Sequence, residues 1–274
     1  MNKLFITGAG GYVGAMLVKK LLEKNNFVCA YDLFTYGDVL EQHKNLKIIK
    51  GDIRNKQLLK KVIPGNNIFI HLACISNDPS FELDPNLGKE INYDAFEPMV
   101  KIAKDSGVER FIYASSSSVY GLKNEKDVTE ESILEPLTDY SKFKAMCEDI
   151  LLKYNDNNFT GTIIRPATVC GYSVRQRFDL VVNILTNHAF NNGKIKVFGG
   201  DQLRPNIHIK DMINAYLKVI EADKSIISGQ VFNAGFENRT VSELAHKVKN
   251  IIGKNIEIVF EKTDDNRSYH VSSN

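Results

Sequence analysis

An octapeptide near the start, Thr7-Gly8-Ala9-Gly10-Gly11-Tyr12-Val13-Gly14, limits what this chain can fold into more than any other feature. It follows a short apolar run, Leu4-Phe5-Ile6, and precedes a stretch whose Val13, Leu17 and Leu21 share one helical face. A strand therefore turns into a helix through three spaced glycines. Gly8 suits the tight turn, Gly11 lets backbone approach a phosphate, and Gly14 lets the helix pack on the strand. The helix start adds N–H groups without intrahelical partners and the positive end of the helix dipole, so the segment predicts a site for a dinucleotide pyrophosphate. Tyr12 and Val13 lie at its lip. Asp32 closes the next apolar run, Phe27 to Tyr31, about twenty residues on, where a carboxylate accepts from ribose hydroxyls and repels a 2′-phosphate. NAD rather than NADP is the expected cofactor. Asp52-Ile53, after a third strand at Leu46 to Ile49, reads in two ways: as neighbours of the adenine, or with Asp52 as a cap for a helix at Asn55.

The alternation continues beyond that point. Helices are expected over Asn55 to Val62, Asn86 to Lys104 with a potential kink at Pro98, and Tyr140 to Tyr154. Strands are expected at Ile68 to Leu72, Phe111 to Ala114 and Thr162 to Ile164. Short β-branched runs between helical patterns predict an α/β fold, a Rossmann-type doubly wound parallel sheet covered on both faces. Past Arg165 the rhythm loosens. Helices are expected over Leu180 to Phe190, Met212 to Ile220 and from the Thr240–Glu243 capping box to Ile252. Strands follow at Lys196 to Phe198, Val231 to Asn233 and Ile256 to Phe260. The expected division is a cofactor-binding domain over 1–165 and a smaller α/β substrate-binding region over 166–274, interleaved with the first.

A net charge of +2 over 274 residues argues against nucleic acid as a main partner. No stretch approaches membrane-spanning length, and the apolar run before Gly8 is too short for a signal segment. Four dispersed cysteines (Cys29, Cys74, Cys147, Cys170) read as free thiols in a cytoplasmic protein. The six histidines have no metal-ligand spacing, so no metal is expected. His71, at a strand end, reads as structural, His208 as part of a strand, and Cys170 as a small apolar position.

The chemistry lies in Tyr140 and Lys144, four residues apart on one helical face. Of the eleven tyrosines, Tyr140 alone has lysine at that spacing. An adjacent ammonium stabilises a tyrosinate and lowers the phenol pKa, which makes a usable base. A hydroxyl from Ser115, Ser116 or Ser117, at the end of the preceding strand, can share the substrate oxygen with it.

These residues resemble the extended short-chain dehydrogenases/reductases, the NAD-dependent epimerase/dehydratase type. The likeness runs through the glycine segment, Asp32, Gly51-Asp52-Ile53-Arg54, His71-Leu72-Ala73, Asn92 and Ser115 to Gly121. It continues through Tyr140-x-x-x-Lys144 and Arg165-Pro166-Ala167-Thr168-Val169-Cys170-Gly171. The resemblance places the catalytic hydroxyl on Ser116, with Leu72, Ala73, Asn92 and Pro166 near the cofactor. It implies substrate contacts from Ser117, Thr168, Phe198 (in Val197-Phe198-Gly199), Arg204 and Arg267. It also implies a nucleotide-sugar substrate, a C4 epimerisation through a 4-keto sugar, and a homodimer through a four-helix bundle. Ala95, Met99, Ile102, Met146 and Ile150 are its expected apolar contacts. A sugar-nucleotide dehydrogenase or keto-reductase is the alternative within the family, and a cofactor-binding regulatory or scaffold protein the alternative outside it. Two departures stand out. Thr168 replaces the usual Asn, and Ser117-Ser118 replace the acidic pair that dehydratases use to eliminate water. Family members usually continue past the position of Asn274, implying a short member or a truncated sequence, with one wall of the substrate site affected.

Overall fold

The computed structural model describes residues 1–123, 125, 127–253, 255–263 and 268–272. In the first part β1 (Lys3–Thr7), α1 (Tyr12–Glu23), β2 (Phe27–Asp32), β3 (Leu46–Lys50), α2 (Lys56–Val62) and β4 (Ile68–His71) follow in order. Then come α3 (Asp78–Leu83), α4 (Pro85–Lys89), a π-helical turn (Glu90–Asp94), α5 (Phe96–Asp105), β5 (Arg110–Ala114) and a 3₁₀ turn (Ser117–Tyr120). α6 (Asp139–Tyr154) and β6 (Thr160–Pro166) complete this part. The later part holds β7 (Thr168–Cys170), α7 (Val181–Asn192), β8 (Lys194–Phe198), β9 (Leu203–His208), α8 (Ile209–Glu221) and α9 (Lys224–Ile227). It ends with β10 (Val231–Ala234), β11 (Glu237–Thr240), α10 (Val241–Ile252) and β12 (Glu257–Glu261).

Seven parallel strands form the main sheet in the order β10-β6-β5-β4-β1-β2-β3, the expected doubly wound class. The order reverses between β1 and β4, so the loops leaving them diverge to opposite faces and leave a crevice at the carboxyl edge. A hydrogen bond between Thr7 Oγ1 and His71 Nδ1 (2.7 Å) ties the two strands there. Burial and the nearby Lys144 charge hold His71 well below the ordinary imidazole range. It is a neutral structural group, as expected.

Each sheet face is covered by a separate apolar layer. On one side α1 and α8 contribute Leu17, Leu21, Met212 and Tyr216. On the other, α5 and α6 contribute Phe96, Met99, Cys147 and Leu151. A third cluster joins α7, β8 and α10 through Leu185, Val197 and Leu244. Two small sheets, β11-β9-β7 and β12-β8, arise from residues beyond Pro166, yet β10 returns to the main sheet beside β6. No helix among the described residues is long and apolar enough to cross a membrane.

Three expectations need correction. The helix over 86–104 is broken, not at Pro98 but at the π turn, where Ala95 N–H reaches back five residues to Glu90 O (3.0 Å). Pro98 sits in the first turn of α5, where no intrahelical donor is lost. Ala95, Met99 and Ile102 are 6%, 0% and 6% exposed, spent on the chain's own core, so they cannot be dimer contacts. Asn55, not Asp52, caps α2 by accepting from Leu58 N–H (3.0 Å).

Burial raises the Cys29 thiol to about 11, and raises Cys147 and the Tyr31 phenol to about 12 each. An unfolded chain ionises these groups from their ordinary values near 8.5 to 10. Their contribution to stability is therefore complete below about pH 8.5 and is lost as pH climbs towards 12. Urea midpoints should be flat from pH 7 to 8 and fall steadily above pH 9. A midpoint unchanged at pH 10.5 would contradict this.

Candidate active site

The crevice is lined first by the glycine loop. A Cβ on Gly8 would lie 2.6 Å from Ala73 N and 2.7 Å from the Leu72 carbonyl carbon, so β1 leaves in contact with the exit of β4. A Cβ on Gly14 would lie 2.1 Å from Gly8 O, which is why only glycine lets α1 start so close to the loop. Gly11 differs, because its Cβ position meets only Gly8 O, at 3.1 Å. Gly11 is also the N-cap of α1, with no side-chain cap and no acidic residue in the first turn. A bare helix start beside an open glycine face is the cradle that a pyrophosphate needs.

Tyr12 contributes backbone there, while its side chain is buried and serves another purpose. The hydroxyl donates to Gly171 O (2.7 Å) and accepts from Asn183 Nδ2 (3.2 Å), pinning the later part of the chain against α1. Val13 is packed against the core. Asp32 ends β2 and accepts from Gly10 N–H (3.0 Å) and Phe34 N–H (2.7 Å), one on each oxygen. Asp52 is held below the usual carboxylate range by Arg54, with one Arg54–Asp52 contact at 2.7 Å. Ile53 is buried in the core beside it. Asn92 is 4% exposed, and its amide grips Ile75 from both sides, accepting from N–H (2.8 Å) and donating to C=O (2.9 Å). It thus fixes the loop after β4 that carries Leu72 and Ala73. The π turn is what turns Asn92 inward.

At the end of β5, Ser116 caps the 3₁₀ turn, accepting from Ser118 N–H (3.1 Å) and sharing a hydrogen bond with the Ser118 hydroxyl (2.9 Å). The Ser116 hydroxyl is near enough to the Tyr140 phenol to work against that group's pKa rise. Ser117 is buried behind it, and Ser115 donates to Glu148. Tyr140 and Lys144 occupy the first turns of α6, whose start is fixed by a Thr138–Ser141 capping box. Lys144 Nζ donates to Ala114 O (2.7 Å) and lies 5.0 Å from the Tyr113 ring centre and 5.9 Å from that of Tyr140.

The Tyr140 pKa runs against expectation. Burial drives it well above the ordinary phenol value, and Cys74 and Asp78 add to the rise. Arg177 and Ser116 oppose it without prevailing. Lys144 spends a donor on the Ala114 carbonyl and does not offset the burial. Desolvation is the larger effect.

Cys74, Asp78 and Arg177 were not singled out in the sequence. Arg177 pairs with Asp179 (2.5 Å), which accepts from Asn77 Nδ2 (2.7 Å), and Asp78 accepts from the Thr138 hydroxyl (2.6 Å). The available signals were Asn77-Asp78-Pro79, a helix start, and the basic run Arg175-Gln176-Arg177 after Gly171.

The substrate-side candidates are less gathered. Pro166 ends β6 and Thr168 opens β7, both half-buried at the crevice. Thr168 pairs with Asn206, two residues along β9 from Arg204. Arg204 donates to Leu203 O (2.9 Å) and lies over the Tyr269 ring. Phe198 is exposed at the end of β8, in a separate small sheet. Arg267 lies outside the described residues. Cys170 is only half-buried, with its thiol raised by burial and by Glu237 and Asp211. Among the described residues no cluster suits a metal ion.

Beneath the crevice is a buried ion pair. Arg165 Nη2 lies 2.6 Å from Glu148 Oε2, with side chains 6% and 3% exposed. Arg165 also donates to Tyr120 Oη (2.8 Å), which donates to Asn233 Oδ1 (2.7 Å) on β10. Asn233 N–H in turn donates to Glu130 Oε1 (2.6 Å).

Residues 4–235 match the profile of the NAD dependent epimerase/dehydratase family. A UDP-glucose 4-epimerase of Lactobacillus helveticus is 25% identical over 271 residues, covering 91% of this chain and 82% of that protein. A human dTDP-D-glucose 4,6-dehydratase is 26% identical, covering 92% of this chain and 74% of that one. Among solved structures, a UDP-glucose 4-epimerase of Thermotoga maritima with UDP-glucose superposes with a TM-score of 0.89 at 24% identity, over 99% of this chain and 90% of that one.

Removing the Glu148 carboxylate would leave Arg165 charged and buried without its partner. Glu148→Ala should cost about 3–5 kcal/mol of unfolding free energy in urea. A loss under 1 kcal/mol would show that the pair is dispensable. Separately, Asp32→Ala should narrow the preference for NAD over NADP in titration calorimetry, and equal affinities in the parent would remove Asp32 from the ribose.

Proposed function

The chain belongs to the NAD-dependent epimerase/dehydratase family, and on that premise we propose that it inverts C4 of a nucleotide-activated sugar through a transient 4-keto sugar. The observation that carries this reading is Tyr140 beside Ser116 with Lys144 one turn on, together with Ser117 and Ser118 where elimination would need acids. Two carboxylates before and at the start of the Tyr140 helix, Glu130 and Asp139, are the alternative acids. Glu130 is committed to Asn233 N–H, and Asp139 sits on the outer first turn of α6 beside Lys142 (3.2 Å). Neither supports loss of water.

The cofactor is NAD. Gly8, Gly11, Gly14 and the backbone of Tyr12 and Val13 would hold its pyrophosphate, and Asp32 a ribose. Asp52 and Ile53 would flank the adenine; Leu72, Ala73, Asn92 and Pro166 would line the nicotinamide side. When bound, NAD supplies a hydride acceptor that can return the hydride. In this reading Tyr140 takes the proton of the C4 hydroxyl and gives it back, Ser116 hydrogen-bonds the same oxygen, and Lys144 orients the ribose. Residues 1–165 serve the cofactor, and 166–274 the nucleotide sugar through Thr168, Arg204, Phe198 and Arg267.

A phenol held high by burial is mostly protonated at neutral pH, so kcat/KM should rise with pH from 6 to 9. Tyr140→Phe should bind NAD like the parent and lose at least about a hundredfold in turnover. Turnover within a few-fold of the parent would remove Tyr140 from the chemistry. Product mass separates the reactions: unchanged for epimerisation, two hydrogens lighter for oxidation, one water lighter for dehydration. Catalytic release of water would overturn the proposal.

A homodimer is part of the same reading; with Ala95, Met99 and Ile102 buried in the chain's own core, its support is on α6, where Met146 is 41% exposed and Ile150 half-buried. Light scattering at micromolar concentration should give twice the chain mass, and a monomeric mass would refute it.

A further inference from the structure

Arg175, in the loop after β7, has no part in the proposed chemistry. Its guanidinium carbon lies 3.7 Å from the centre of the Tyr36 ring, which belongs to the loop after β2. The contact joins the loop after β7 to the loop after β2. Its backbone is fastened to the phosphate cradle itself: Arg175 N–H donates to Ser173 Oγ (3.3 Å), and that hydroxyl donates to Tyr12 O (2.7 Å) in the first turn of α1.

One edge of the guanidinium is engaged, with Nη1 donating to Gln176 O (2.7 Å). Nε is buried without a partner. Neighbouring Arg177 has its carboxylate in Asp179, whereas Arg175 forms no ion pair among the described residues. An unsatisfied buried donor on a charged group is costly, and guanidinium is the side chain best matched to phosphate oxygens. The same region holds the start of α1, uncapped and free of acidic residues in its first turn. The two positive features are thus tied together through Ser173 and Tyr12, while the nearby Asp32 carboxylate is turned to the N–H groups of Gly10 and Phe34. Either alone is unremarkable; together with the orphan donor they call for an anionic ligand.

We propose that Arg175, braced against Tyr36, is a binding residue for the cofactor pyrophosphate and closes the crevice over it. The glycine loop grips the phosphates from below through backbone N–H groups, and Arg175 would grip them from the opposite lobe. The nucleotide sugar also carries a diphosphate, so the test must separate the two sources.

Binding is measured by calorimetry on parent and Arg175→Ala with NAD, ADP, adenosine and UDP. Loss of a charge-assisted contact should weaken NAD and ADP about tenfold or more, while adenosine, which has no phosphate, stays within twofold. UDP should also stay within twofold. Unchanged NAD and ADP affinity would overturn the proposal, and so would weakening confined to UDP, which would move Arg175 to the substrate diphosphate. Equal weakening of adenosine and ADP would show a loop collapse rather than a phosphate contact, and would also overturn it. Should the alanine protein unfold, Arg175→Gln keeps the length without the charge and should give the same order of effects.

Discussion

The buried pairing of Arg165 with Glu148 is the constraint on which the crevice depends. Glu148 stands on α6 one turn beyond Lys144, and Arg165 lies on β6 just before Pro166. Their contact sets the distance between the helix that carries the tyrosine and the strand that ends beside it. Ser115 donates to the same carboxylate, so the serine run is referred to the same point. Such a pair is poor evidence for stability in its own right, since desolvating two charges offsets most of their attraction. Its value here is geometric, because the bidentate fork admits few arrangements.

Against that fixed frame the catalytic tyrosine is governed by dryness more than by charge. Lys144 was expected to lower the phenol, yet its ammonium is bonded to the Ala114 carbonyl while burial raises Tyr140. The positive group that does oppose the rise is Arg177, from a distant loop. Environment from three elements therefore decides the ionisation that spacing on one helix was expected to decide.

The sheet and the glycine loop were legible in the sequence because each glycine answers a local backbone need, and because strand and helix periods differ. The Thr240 capping box was legible for the same local reason, and it forms as expected. What escaped was set by tertiary contacts. The break at Glu90–Asp94 depends on Asn92 reaching Ile75, seventeen residues earlier, and no helical period reports that. Ala95, Met99 and Ile102 were expected at a dimer seam from the family resemblance, but a resemblance cannot say which of two layers an apolar face will meet. Thr168–Cys170 was too short for a strand signal, and it exists because β9 pairs with it. Arg175 and Arg177 looked like an ordinary basic loop, since Tyr36, which Arg175 meets, and Asn77, which donates to the Asp179 partner of Arg177, are far away in the chain.

The return of β10 to the main sheet has a consequence for how the chain is made. β6 ends at Pro166 and β10 begins at Val231, about sixty-five residues later. At ribosomal rates of about 5–20 residues per second, β6 waits several seconds as an edge strand before its neighbour exists. Through that interval Tyr120 lacks Asn233, and an edge rich in β-branched residues, Thr160 to Ile164, lies open to pairing with other chains. Vectorial synthesis thus leaves this protein most vulnerable to misassembly after its cofactor cradle is complete and before its sheet is closed.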